Sequence, residues 1–87
     1  MTSENFIDIC KRLVADYFNE HVDKTDNVAM DSKSVYVVWY CKTLQNHKAL
    51  LSTPAPDGMY YECTYNGDKN ELYFDAYKKF ENKRIEM

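Results

Sequence analysis

Val35-Tyr36-Val37-Val38-Trp39-Tyr40-Cys41 is the longest unbroken apolar and aromatic run in the chain, and it holds the only tryptophan. β-branched and aromatic side chains of this kind fit a pleated, packed surface, so the run predicts a central strand over about residues 34–44. Alternation divides it into two faces, both apolar: Val35, Val37, Trp39 and Cys41 on one, Tyr36, Val38 and Tyr40 on the other. One face carries the core, and the other is covered or used for binding. The aliphatic and Trp set belongs inside, which turns Tyr36, Val38 and Tyr40 outward.

Upstream, Phe6, Ile9, Cys10, Leu13, Val14, Tyr17, Phe18 and His21 recur at steps of three and four, one stripe of an amphipathic helix over residues 3–21. Thr2 or Ser3 can cap it, and Glu4 and Asp8 suit the positive end of its dipole. Residues 22–34 have no period and many turn formers, and read as a loop punctuated by Thr25-Asp26-Asn27 and Asp31-Ser32-Lys33-Ser34.

Downstream, Gln45-Asn46-His47 is a short polar break, and residues 48–53 make a second strand joined to the first by a tight hairpin. Thr53-Pro54-Ala55-Pro56-Asp57-Gly58 is the strongest loop signal. Residues 59–65 form a third strand, with Tyr60, Glu62 and Thr64 outward and Met59, Tyr61, Cys63 and Tyr65 inward. The last segment admits two readings. Leu72, Tyr73, Ala76, Tyr77 and Phe80 keep helical spacing, and Asp68 to Glu71 has the spacing of a capping box, which predicts a helix over residues 69–83. Asn66-Gly67 is a hairpin signal, so the alternative is a fourth strand over residues 72–77. The helical reading is preferred. It makes one α+β domain spanning residues 1–87, a two-layer sandwich ordered helix, three-stranded antiparallel meander, helix, with one sheet face open.

Composition narrows the function. Eight tyrosines in 87 residues exceed what so small a core can bury, so several rings stay at the surface. A net charge of −3 argues against nonspecific nucleic-acid or anionic-membrane binding. No window reaches the length of a membrane span and no leader pattern opens the chain, so a soluble, cytoplasmic protein is expected. Cys10, Cys41 and Cys63 are widely spaced and odd in number, and with His21 and His47 they form no metal-ligand pattern; buried reduced thiols are the expectation. Neither Gly58 nor Gly67 opens a phosphate loop, and no cysteine has a base placed beside it. No enzyme activity, metal or cofactor is expected.

Two surfaces remain. Tyr36, Val38, Tyr40 and Tyr60 make a rigid aromatic face suited to a protein partner or a second copy, giving a homodimer, and an unpaired sheet edge offers another route to dimerisation. The alternative is nucleic-acid contact through Lys78, Lys79, Lys83 and Arg84, because helix, three strands, helix is the element order of double-stranded-RNA-binding domains. Those residues lie at the wrong end of the final helix for that mode, where only Lys69 is basic in the first turn.

The runs Trp39-Tyr40-Cys41-Lys42-Thr43-Leu44-Gln45-Asn46, Lys48-Ala49-Leu50-Leu51-Ser52-Thr53, Asp57-Gly58-Met59-Tyr60-Tyr61-Glu62 and Tyr65-Asn66-Gly67-Asp68-Lys69 resemble a family of short uncharacterised proteins from phages and prophages of Gram-positive bacteria. The likeness runs from the first helix to the end. It brings no catalytic or binding residue with it. What it implies is a setting: a small phage accessory protein in the bacterial cytoplasm that works by binding another macromolecule.

Overall fold

The computed structural model describes residues 1–21 and 29–87; the Thr25-Asp26-Asn27 turn signal lies outside them. Helix α1 (Ser3–His21) is followed by a short 3-10 turn (Ser32–Ser34) and four strands, β1 (Tyr36–Thr43), β2 (Asn46–Ser52), β3 (Met59–Asn66) and β4 (Glu71–Lys78). The strands form one antiparallel meander in the order β1-β2-β3-β4. The fold is α+β, and there is no C-terminal helix.

Thr2 caps α1: its hydroxyl accepts from Asn5 N–H at 3.1 Å and its carbonyl from Phe6 N–H at 3.0 Å. Phe6, Cys10 and Val14, one turn apart, are fully buried against Ala49 and Leu51 of β2 and Tyr61, Cys63 and Tyr65 of β3. A paired amide clamp seats the chain beyond the helix: Met30 N–H donates to Asn19 Oδ1 at 2.7 Å, and Asn19 Nδ2 donates to the Met30 carbonyl at 3.1 Å.

The predicted helix over residues 69–83 is instead β4, paired with β3 without interruption from Asn66↔Glu71 to Met59↔Lys78. Asp68 to Glu71 is no capping box. Asn66 Oδ1 accepts from the N–H groups of Asp68 (3.0 Å) and Lys69 (3.3 Å), and Asn70 adopts φ 52°, which together close the β3–β4 turn. Residues 79–87 carry no regular structure. Leu72, Phe74 and Ala76 alternate towards the helix layer while Tyr73, Asp75 and Tyr77 alternate away from it; Phe74, the residue that broke the helical stripe, belongs to the strand stripe.

The inside and outside of β1 also differ from expectation. A β-bulge lies between Val37, opposite Leu51, and Trp39, opposite Leu50. The extra residue, Val38, reverses the parity of everything after it. Val35 and Val37 face the helix as predicted, but Tyr40 joins them there, and Trp39 and Cys41 turn outward. Tyr40 is held on the inside by a polar cluster. Its hydroxyl donates to Ser3 Oγ at 2.8 Å and lies 2.6 Å from His47 Nδ1. His47, predicted in a turn, belongs to β2, stacks on Phe6 at 5.1 Å between ring centroids and is 2% exposed.

Burial holds the His47 imidazole below its ordinary pKa of 6.5, and the charge of Lys42 lowers it further. A depressed histidine pKa means the unfolded chain takes up the proton first. The stability from the neutral ring is therefore complete above pH 6.5 and is lost as pH falls through the folded value. Thermal melts between about pH 5 and pH 8 should show a larger fall in Tm for the wild type than for His47→Gln. Equal slopes would remove His47 as the cause.

Leu44 occupies the left-handed region, φ 56°, in the two-residue β1–β2 loop, and its side chain is exposed. Leu44→Gly relieves that strain at no packing cost and is expected to stabilise the protein by roughly 0.5–1 kcal/mol in chemical denaturation.

Candidate functional site

The register stacks the outward residues of the sheet into cross-strand rows. Tyr36, Ser52, Tyr60 and Tyr77 form one; Trp39, Leu50, Glu62 and Asp75 the next; Cys41, Lys48, Thr64 and Tyr73 a third. Neighbouring strands are about 4.8 Å apart, so each row brings four side chains within about 14 Å. Tyr36, Trp39 and Tyr77 are 48%, 40% and 50% exposed, and nothing among the described residues covers them.

Carboxylates are set among the rings. Glu62 and Asp75 lie directly opposite each other on β3 and β4. Lys48 Nζ reaches Glu62 at 3.3 Å, leaving Asp75 with no ion-pair partner among the described residues. Glu71 accepts a hydrogen bond from the Tyr73 hydroxyl at 2.8 Å, and that bond, with the carboxylate's charge, raises the Tyr73 pKa above 10. At the rim, the Lys79 ammonium stands 5.7 Å from the centre of the Tyr60 ring. One ring of this face therefore already carries a cation.

Of the four residues predicted to make the contact, Tyr36 and Tyr60 are on this side, Val38 is the exposed, unpaired residue of the bulge, and Tyr40 is not on this side, because the bulge takes it into the polar cluster with His47. Glu62 and Thr64 lie where β3 parity put them. Trp39, Tyr73 and Tyr77 were not among the predicted contacts. Trp39 needed the bulge, while the Tyr73-x-x-x-Tyr77 pair follows once the Asn66-Gly67 hairpin signal is followed through. Lys78 ends β4, and Lys79, Lys83 and Arg84 lie in the segment beyond it. Lys83 sits 3.7 Å from Glu81 and Arg84 3.5 Å from Glu86, so part of the field of that basic cluster is cancelled locally.

Among the described residues, no group of three or more His, Cys, Asp or Glu side chains is placed to hold a metal ion. Cys10 and Cys63 are buried between α1 and β3, and the neighbouring Cys63 thiol, together with burial, keeps the Cys10 thiol protonated. Cys41, expected in the core, is exposed on the open face. A thiol reagent should therefore modify the native protein at Cys41 alone, and Cys10 and Cys63 only on unfolding, as read by mass spectrometry. Native labelling of Cys10 would contradict this packing.

No described helix is long and apolar enough to cross a membrane. No curated protein and no solved structure matches the chain. A family of unknown function, DUF6275, matches residues 7–87, which is all of the sheet and all but the first turn of α1. The chain belongs to the DUF6275 family.

Proposed function

We propose that this is a non-enzymatic binding protein that works by protein–protein contact, through the open face of its sheet, with a partner that presents cationic side chains. The observation that carries this reading is the alternation of exposed rings with carboxylates: Tyr73 and Tyr77 flank Asp75 along β4, and Glu62 and Asp75 share a cross-strand row with Trp39, with Lys48 paired to Glu62 and Lys79 at the rim. Rigid aromatic side chains give contact area at little entropic cost, and arginine or lysine gains twice here, over a ring face and against a carboxylate. The same carboxylates repel phosphates, which weighs against nucleic acid on this face. A phage or prophage setting in the bacterial cytoplasm is part of the proposal and rests on the resemblance of the Trp39–Asn46, Lys48–Thr53, Asp57–Glu62 and Tyr65–Lys69 runs alone.

Trp39 is the only tryptophan and lies within the face, so its fluorescence reports occupancy directly. Titration with a peptide of alternating arginine and leucine should shift and quench its emission. Glu62→Gln/Asp75→Asn should weaken that binding about fivefold, the size of roughly 1 kcal/mol, while Glu4→Gln/Asp8→Asn, the same charge change on α1, leaves it unaltered. An absent response, or equal loss in both variants, would sink the proposal. A response to a thymidine oligonucleotide that falls steeply with salt and disappears in Lys78→Glu/Lys79→Glu would favour nucleic-acid contact instead.

A further inference from the structure

We propose that two copies of this chain join edge to edge through β4, antiparallel, with Phe74 on the two-fold axis. This goes beyond the partner contact above: it uses the rim of the sheet rather than its face. The sheet has two edges, β1 and β4. The bulge at Val37–Trp39 breaks the regularity of the β1 edge, a device that discourages strand addition. β4 has no such protection. Its register with β3 runs unbroken over eight residues without a bulge or proline, and no described segment pairs with its outer side.

The layer behind β4 also stops short. α1 packs mainly on β2, with Ile7 near Val37 and Tyr40 of β1. Ile9 and Leu13 lie on the opposite flank of the helix and remain half-buried, as do Leu72 and Phe74 of β4. An apolar margin therefore runs along the β4 side, ready to be continued by another copy.

The sequence of β4 selects the register. In an antiparallel pair, directly opposite residues share a face, so a two-fold axis has few places to fall. An axis at Asp75 sets Asp75 against the partner's Asp75. At Tyr73 it sets Glu71 against the partner's Asp75, and at Ala76 it sets Phe74 against the partner's Lys78. An axis at Phe74 has none of these conflicts. On the helix side it pairs Phe74 with the partner's Phe74 and Leu72 with the partner's Ala76. On the open side it pairs Tyr73 with the partner's Asp75. The product is an eight-stranded sheet with both helices on one side and both aromatic faces joined on the other.

Light scattering across a concentration series should give twice the chain mass for the wild type. Ala76→Lys, an exposed position that would place a charge in the seam, should give a folded monomer, with its far-ultraviolet circular dichroism unchanged. Register is read by cross-linking in a Cys41→Ser background: Phe74→Cys should form an intermolecular disulfide on oxidation, whereas Tyr73→Cys, offset by two residues from its own copy, should not. Where Phe74→Cys loses its packing on Tyr61 and does not fold, a mixture of Tyr73→Cys chains with Asp75→Cys chains tests the same axis from the exposed side, and should form the disulfide between unlike chains only. A wild type that stays monomeric, a dimer that Ala76→Lys leaves intact, or cross-linking of Tyr73→Cys in preference to Phe74→Cys overturns the proposal. Mass and Trp39 emission are separate readouts, so this dimer and the cationic partner fail or survive independently.

Discussion

A helix about 10 Å across lies on a sheet whose outer strands are about 14 Å apart, and that mismatch shapes the rest of the molecule. α1 settles over β2, the strand whose inward residues His47, Ala49 and Leu51 are all buried. The β1 flank is then closed by Ile7, by the 3-10 turn and by the Asn19–Met30 clamp. The β4 flank has Tyr17 touching Phe74, with ring centroids 5.6 Å apart, and little beyond it. A second helix on this face would have closed the layer. The chain spends those residues on a fourth strand, which widens the surface to be dried while adding nothing to dry it.

How much of this the sequence discloses depends on the length of each signal. Five helical turns in residues 3–21 repeat the apolar stripe often enough that no strand fits, and α1 follows. Residues 72–80 are too short for that: Leu72, Tyr73, Ala76 and Tyr77 satisfy a helix, while Leu72, Phe74 and Ala76 satisfy a strand equally well. Phe74 and the Asn66-Gly67 turn decide the matter, and both are readable, but only if a single aromatic residue outweighs four spaced ones. The bulge is different in kind. No glycine or proline marks it, and Val37-Val38 alternates as well in one parity as in the other. What forces it is tertiary: Tyr40, not Trp39, finds hydrogen-bond partners under the helix.

That cluster explains why a tyrosine and a histidine lie in the core while a tryptophan lies outside it. A tyrosine on the inside costs little if its hydroxyl is bonded, and Ser3 and His47 provide for that. A tryptophan there would need a partner for its indole N–H and space for a larger ring beside Phe6. The cluster also ties the first turn of α1 to the β1–β2 hairpin. Among the described residues, no buried side-chain polar atom is left without a partner. Cys10 and Cys63, both buried, lie together in the apolar layer between helix and β3.

The bulge and the sheet's two remaining surfaces are therefore connected. By inserting Val38, β1 surrenders Tyr40 to the core, delivers Trp39 to the open face and roughens its own edge. The open face gains its largest ring next to the Glu62–Asp75 row, and the only smooth edge left is β4. An aromatic face whose charge is mostly negative and an edge whose residues pair with themselves ask for different occupants. The first needs cations from elsewhere. The second meets its complement in another copy of the same strand, since Phe74 on a two-fold axis keeps Asp75 away from its own image and beside Tyr73.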